Sequence, residues 1–343
     1  MIFFDVTKAG TTGHRSGLMR VSARLAGGLG PAATEVRWPA WDRAVRADDW
    51  FLTGELFSEE ERPGFGDFLA TRPCRLAAIF HDAIPLKQPH ITWPQSVARH
   101  PGYMKRLSRF DRVWAVSEAS RRDLVEFWRW QGVEKTPPVE VLALGADFNF
   151  APRAGGGASR PAPGSPLPGL LCVGILEPRK NQAFLLDVCE ELWIEGLKFE
   201  LHLVGRVNPH FGAPLVARVV ALGRKFPVLR YHEAARDAEV ARLYGAVRAS
   251  VFPTIAEGCG LPLLESLWMG VPCVCSDLPV LRENADGGGC LCVASNDRVA
   301  WKAALRRVLT DDALHAKLAT EATSRPLPTW AGAAQTIRRA LEA

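Results

Sequence analysis

The stretch "EGCGLPLLE", Glu257 to Glu265, places two carboxylates eight residues apart with two glycines and a proline between them. One helix across all of it is a poor fit. Gly258 and Gly260 are weak helix formers, and Pro262 has no N–H to give a helix interior. Proline is welcome at the first helical positions, however. The pattern therefore predicts a loop through Gly260, a helix from Leu261 or Pro262, and a stop at Gly270. Glu257 then lies on the loop and Glu265 in the early helical turns. A helix N-terminus between two acids favours anions and hydrogen-bond acceptors, and the amides of Cys259, Gly260 and Leu261 point into the same space. A carboxylate with two acceptor oxygens suits adjacent hydroxyls such as a ribose diol. The plainer alternatives are a helix-dipole acid at 265 and a loop surface charge at 257.

Outward from this stretch, "GLLCVG", "KFELHLVG", "VLRYH", "ASVFPT" and "PCVCSD" read as strands. They alternate with helical patterns such as "NQAFLLDVCEELW", apolar at 184, 185, 188 and 192. The first half repeats the scheme with "MIFFDV", "WFLTG", "RLAAIFHD", "DRVWAVS" and "VEVLAL". Apolar strands alternating with amphipathic helices predict α/β folding with doubly wound parallel sheets. Residues 151–169, rich in Ala, Gly, Pro and Ser, read as a linker. The expected organisation is a domain over 1–150, that linker, and a domain over 170–325: two Rossmann-like domains facing a cleft. A terminal helix over 326–343 follows. Ligands of open parallel sheets bind beyond the carboxyl ends of the strands, where every motif considered below falls.

The bulk numbers set outer bounds. The chain has 343 residues, 48% hydrophobic and 23% charged, which suits globular domains. Residues 1–150 carry 20 Lys+Arg against 18 Asp+Glu, and the remainder 22 against 19, giving +2 and +3 of the net +5. Neither half is the basic surface of a nucleic-acid binder. There is no apolar run long enough to span a membrane and no signal-peptide pattern at the start. Among eight cysteines there is no C-x-x-C. The pairs Cys273/Cys275 and Cys290/Cys292 alternate within apolar runs, which predicts buried thiols in a reducing cytoplasm rather than metal ligands.

In "VGILEPRKNQ", 173–182, a strand ends at Gly174, Arg179 and Lys180 occupy the loop, and Asn181 is placed to cap the next helix. Two cations at a helix start suit phosphate, Arg as a fork and Lys as a point charge. A solvated basic pair is the plainer alternative. His81 beside Asp82 at a strand end is open between structure and ligand contact, with Asp82 supporting the loop. Ser117 and Ser120 in "SEASRRD" read as helix caps, since Ser120-x-x-Asp123 fits a capping box. Lys105, Arg106, Arg109 and Arg112 with Trp128 and Trp130 suit either a membrane surface or an ordinary helix face over core tryptophans.

"EGCGLPLLESLWMGVPCVCSD" resembles the E-x7-E signature of retaining GT-B glycosyltransferases, the group called glycosyltransferase family four. "EPRKN", "FHDAIPL" and "VWAVSEASRRDL" are similar to further blocks of a branch with mannosyltransferases of bacterial surface polysaccharide assembly. The resemblance spans residues 79 to 285. It implies that Glu265 holds the nucleotide ribose, and that Glu257 with Gly258 and the amides of Cys259, Gly260 and Leu261 holds the transferred hexose. Arg179 and Lys180 would neutralise the departing diphosphate beside Gly174, and His81 would face the donor sugar. The loop "KAGTTGHRSG" would approach the diphosphate near Gly13, with His14 and Arg15 beside it. Glycines at 10, 13 and 17 depart there from the family's Gly-Gly pair. The terminal helix would return to the first domain.

The implied reaction is hexose transfer from a nucleotide-diphospho-sugar, GDP-mannose being the first guess, to a saccharide or lipid-linked glycan. It would proceed in the cytoplasm, with peripheral contact at the inner membrane face as a further expectation. No cofactor is expected: the sequence has no D-x-D, so no metal site is assigned and fixed donors must meet the leaving-group charge. Two alternatives stay open, a nucleotide-sugar epimerase on the same fold and an idle nucleotide-sugar-binding module.

Overall fold

The computed structural model describes residues 1–9, 17–41, 44–148, 153 and 167–342. The chain divides into two units. The first comprises Met1–Gly145 with Pro328–Ala343, and the second Ala146–Leu327.

In the first unit, strands β1 (Ile2–Asp5), β2 (Ala33–Val36), β3 (Trp50–Thr53), β4 (Arg75–Phe80), β5 (Arg112–Ala115) and β6 (Val139–Val141) form one sheet. Its order is β2-β1-β3-β4-β5-β6 and every pairing is parallel. Helices cover both faces, so β1 and β3 are buried at every residue. Phe51, Phe80 and Trp128 lie in the main apolar cluster. Each such side chain removed from water contributes about 1.5–3 kcal/mol.

The terminal helix Trp330–Glu342 packs on the helix Gly17–Leu29. It buries Trp330, Ala333, Ala334, Ile337 and Leu341. Gly28 permits the approach: a Cβ there would lie 2.9 Å from the Ala334 Cβ. Trp50 Nε1 donates to the Leu341 carbonyl at 2.8 Å, tying this helix to β3.

The second unit holds β7 (Gly169–Val173), β8 (Glu200–Val204), β9 (Leu229–His232), β10 (Ala249–Phe252), β11 (Cys273–Ser276) and β12 (Cys290–Val293). The order is β12-β11-β10-β7-β8-β9, again parallel throughout. The chain runs outward from β7 to β9, then restarts on the other side of β7 with β10. The loops after β7 and β10 therefore leave adjacent strands in opposite directions, opening a crevice at this reversal.

One local reading is corrected and another is borne out in part. Asn181 sits at the N-cap position of the helix Gln182–Ile194 without capping it. Its Nδ2 instead donates to the Pro253 carbonyl and to Asn296 Oδ1. Of the two serines expected to cap, Ser117 does cap the helix Glu118–Trp130, its Oγ accepting from the Ser120 amide, but Ser120 and Asp123 form no capping box: Ser120 Oγ donates to the His81 carbonyl and Asp123 pairs with Lys87. The cysteine expectation also needs correcting. All eight thiols are free, and Cys74, Cys172, Cys189, Cys273 and Cys275 are buried, but Cys292 is exposed because β12 is an edge strand.

Candidate active site

The loop after β7 makes a short 3-10 turn at Pro178–Lys180, and the loop after β10 runs from Pro253 to Gly260. The two are joined through backbone and side chains. The Ile255 amide donates to the Arg179 carbonyl at 2.9 Å. Thr254, fully buried, turns its Oγ1 toward the Arg179 and Ala256 carbonyls and Glu257 Oε1, at 3.0, 3.1 and 2.8 Å.

This stitching brings Arg179, Lys180 and Glu257 together. Lys180 Nζ donates to Glu257 Oε1 at 2.6 Å and Arg179 Nη1 to the same oxygen at 3.0 Å. Glu177 holds the other side of the Arg179 guanidinium, at 2.8 Å from Nη2. This disfavours the plainer alternatives, Glu257 as a loop surface charge and Arg179 with Lys180 as a solvated pair. The Lys180 and Glu257 side chains are only 10% and 8% exposed. Burial alone would raise the Glu257 carboxyl, but the charges of Lys180 and Arg179, with hydrogen bonds from Lys180 and Thr254, hold it below the usual range. Burial lowers the Lys180 ammonium, and Glu257 offsets part of that. The Lys180 ammonium also lies 5.0 Å from the centre of the Phe252 ring.

The helix Leu261–Trp268 begins directly after Gly260. Gly260 has φ +81, and a Cβ there would come within 2.6 Å of Leu281. Only glycine meets both conditions without strain. Asn284 Nδ2 donates to the Cys259 carbonyl at 2.5 Å and braces the loop from the helix Pro279–Ala285. Gly258 is buried, Cys259 packs against an apolar cluster, and burial pushes its thiol up to about 12. Glu265 sits in the second turn of the helix, 5% exposed. The Lys180 side chain lies against Gly174. Gly205, at the end of β8, allows the neighbouring loop to pass, since a Cβ would fall 1.9 Å from the Gly174 carbonyl oxygen.

His81 belongs to the first unit, at the end of β4. Its Nε2 is 2.7 Å from the Gly54 carbonyl, and its own carbonyl accepts from Ser120 Oγ. Burial lowers its pKa. Asp82 Oδ1 accepts from the Ile84 amide, a loop-supporting contact. Gly13, His14 and Arg15 lie outside the described residues. Before them, the buried Glu55 accepts from the Lys8 and Ala9 amides and pairs with Arg62, which also pairs with Asp5. Of the basic aromatic stretch, Trp128 is core and donates to the Met104 carbonyl, Arg112 pairs with Glu140, and Trp130 is exposed.

Thr254, Glu177, Asn284 and Gly205 were not anticipated from sequence. A threonine three residues before an acid at a strand end, and a glycine closing "HLVG", were the available signals.

Residues 168–311 match the family described as Glycosyl transferases group 1. Over 227 residues the chain is 30% identical to the serotype-specific mannosyltransferase WbdA of Escherichia coli, covering 60% of this chain and 26% of that protein. It is 34% identical to the O-antigen chain mannosyltransferase B of Escherichia coli over 143 residues, 41% of this chain and 37% of that protein. The chain thus spans well under half the length of these relatives. The chain has the GT-B fold, and residues 168–311 are similar to glycosyltransferases. HepE of Anabaena, solved with UDP and glucose, superimposes with a TM-score of 0.76 at 15% identity, over 100% of this chain and 99% of that one. Among the described residues, no helix of this chain is long and apolar enough to cross a membrane.

Proposed function

We propose that this protein is a glycosyltransferase that moves a hexose from a nucleotide-diphospho-sugar to a saccharide acceptor in surface polysaccharide assembly, with retention and without a metal. Mannose from GDP-mannose is the donor we would test first, because both relatives named above are mannosyltransferases. The observation that carries the reading is the junction of Arg179, Lys180 and Glu257 at the strand-order reversal of the second unit.

Breaking the sugar–diphosphate bond builds negative charge on the departing phosphate. Lys180 has three N–H groups and gives one to Glu257, which offsets part of the burial that lowers its pKa; the others are assigned to that charge. Glu257 gathers Thr254, Lys180 and Arg179 on Oε1, which fixes the carboxylate; its other oxygen is the one we assign to the hexose hydroxyls. Glu265 takes the ribose diol, and Gly258 with the amides of Cys259, Gly260 and Leu261 borders the sugar. His81 contacts the hexose, as the resemblance implies. The acceptor attacks from the leaving-group side, with a phosphate oxygen as its base. A lipid-linked acceptor would bring the exposed Trp130, with Lys105 and Arg109, to a headgroup surface.

The test is thermal melting with GDP, UDP, dTDP and ADP in EDTA, followed by transfer assays with the sugar donors of the nucleotide that binds. Nucleotide at 100 times its dissociation constant should stabilise by about 2.7 kcal/mol. Glu265→Ala should abolish that gain. Arg179→Ala or Lys180→Ala should lower kcat by about 10²–10³. Stabilisation that needs added metal would overturn metal independence, and sugar release without acceptor would favour the epimerase.

A further inference from the structure

Strands β11 and β12 carry four cysteines that meet in register, Cys273 opposite Cys290 and Cys275 opposite Cys292. Alternation along each strand sends all four thiols to one face. The opposite face, with Val274, Leu291 and Val293, joins the main apolar core of the unit. No metal-holding group of His, Cys, Asp or Glu occurs among the described residues. Nor does the proposed transfer reaction use these thiols.

The two outer members differ from the inner ones. Cys275 Sγ and Cys292 Sγ lie 3.8 Å apart, in van der Waals contact. Cys292 is exposed while Cys273 and Cys275 are buried. Neighbouring strands run about 4.8 Å apart, inside the Cα separation of about 4.4–6.8 Å that a disulfide bridges. The backbone therefore needs little rearrangement to join them.

We propose that Cys292 and Cys275 form a redox modification site, in which Cys292 is the entry thiol for a low-molecular-weight disulfide and Cys275 resolves it. The Cys292 thiolate attacks one sulfur of the small disulfide, forming a mixed disulfide and expelling the first small thiolate. Cys275 then gives up its proton and attacks Cys292 Sγ. The Cys275–Cys292 bond forms, and the second small thiolate leaves and takes the proton. Two protein thiols are oxidised and one small disulfide is reduced to two thiols.

The surroundings separate the two roles. A hydrogen bond from Cys275 is the main influence that brings the Cys292 thiol down to about 7, with Arg282 helping against burial and Asp277. The three neighbouring thiols and burial hold Cys275 well above its usual value. Once Cys292 is derivatised its negative charge is gone, and the obstacle that charge posed to Cys275 ionising is removed. At pH 7 Cys292 carries about fifteenfold more thiolate than an ordinary cysteine. Lower intrinsic nucleophilicity reduces the expected rate gain to about threefold.

The experiment treats the native full chain with oxidised glutathione, alkylates the remaining thiols, and maps the products by mass spectrometry. The wild type should lose two hydrogen masses and yield one cross-linked species joining Cys275 to Cys292, reversed by dithiothreitol. Cys275→Ser should stop at a single glutathione adduct on Cys292, and Cys292→Ser should take up none. A wild type that resists oxidation, keeps the glutathione adduct, or joins Cys273 to Cys290 instead overturns the proposal. The wild-type map decides this even where a serine variant fails to fold.

Discussion

Replacing Glu257 with alanine isolates the energetic role of the buried pair. The substitution removes the carboxylate that accepts from Lys180 at 2.6 Å and Arg179 at 3.0 Å. Lys180 is then left about nine-tenths covered, with the Phe252 ring 5.0 Å away and the more weakly acting Glu177 charge nearby. Removing one member of a buried pair costs about 3–5 kcal/mol, because the other charge stays desolvated. For a unit of this size each kcal/mol shifts the midpoint by about 2–4 °C, so the melting temperature should drop by roughly 6–20 °C. Lys180→Met combined with Glu257→Ala should recover most of the loss, since no uncompensated charge remains. A second signature is pH dependence. The Lys180 pKa is already lowered by burial, and without Glu257 it falls further. Between that folded value and the unfolded value the unfolded chain binds more protons, so Glu257→Ala should gain stability as pH rises through this window. The assay is thermal or urea unfolding of the wild type, both single variants and the double variant over a pH series. A Glu257→Ala loss below about 1 kcal/mol, or a double variant no better than the single one, would refute the reasoning.

Other consequences are directly measurable. Thr254→Val keeps the shape but removes the hydroxyl that joins two loops; unfolding should register a loss of about 1–3 kcal/mol. Gly260→Ala meets both positive φ and the Leu281 contact, so about 2–4 kcal/mol should be lost in urea titration, with weaker nucleotide binding by calorimetry. Burial lowers the pKa of His81, His100, His202 and His315, so the unfolded chain takes up more protons below about pH 6.5. The melting temperature should therefore fall between pH 7.5 and 5.5, and a flat profile would contradict this. Anionic vesicles at low salt should pellet the protein, and Trp130→Ala should weaken that association.

Strand-type runs alternating with amphipathic helices were enough to read two parallel α/β sheets, because burial on both faces leaves continuous apolar strands. The glycine-proline punctuation of "EGCGLPLLE" likewise marked the start of the helix at Leu261. Periodicity does not encode strand order, so the reversal that sets β10 beside β7 was not legible. Without that reversal, nothing in the chain indicates that Lys180 and Glu257, 77 residues apart, share a hydrogen bond. The same gap explains Asn181. Its type suits a cap, but Pro253 and Asn296, which take its amide, come from distant loops. Ser117 and Ser120 were both plausible caps, and the His81 carbonyl claims the hydroxyl of Ser120.

The return of the terminal helix to the first unit affects the order of assembly during synthesis. The strands of the first unit are made first, yet Gly28 and Trp50 receive their partners Ala334 and Leu341 only after all of Ala146–Leu327 has been translated. At ribosomal speeds of about 5–20 residues per second, that is a wait of roughly 10–40 s. During it, the apolar face of the helix Gly17–Leu29 lacks its cover. The second unit, contiguous in the chain, can close first. The first unit, begun before the second, is thus completed after it, and nascent chains should expose a chaperone-sensitive surface there until the helix Trp330–Glu342 docks.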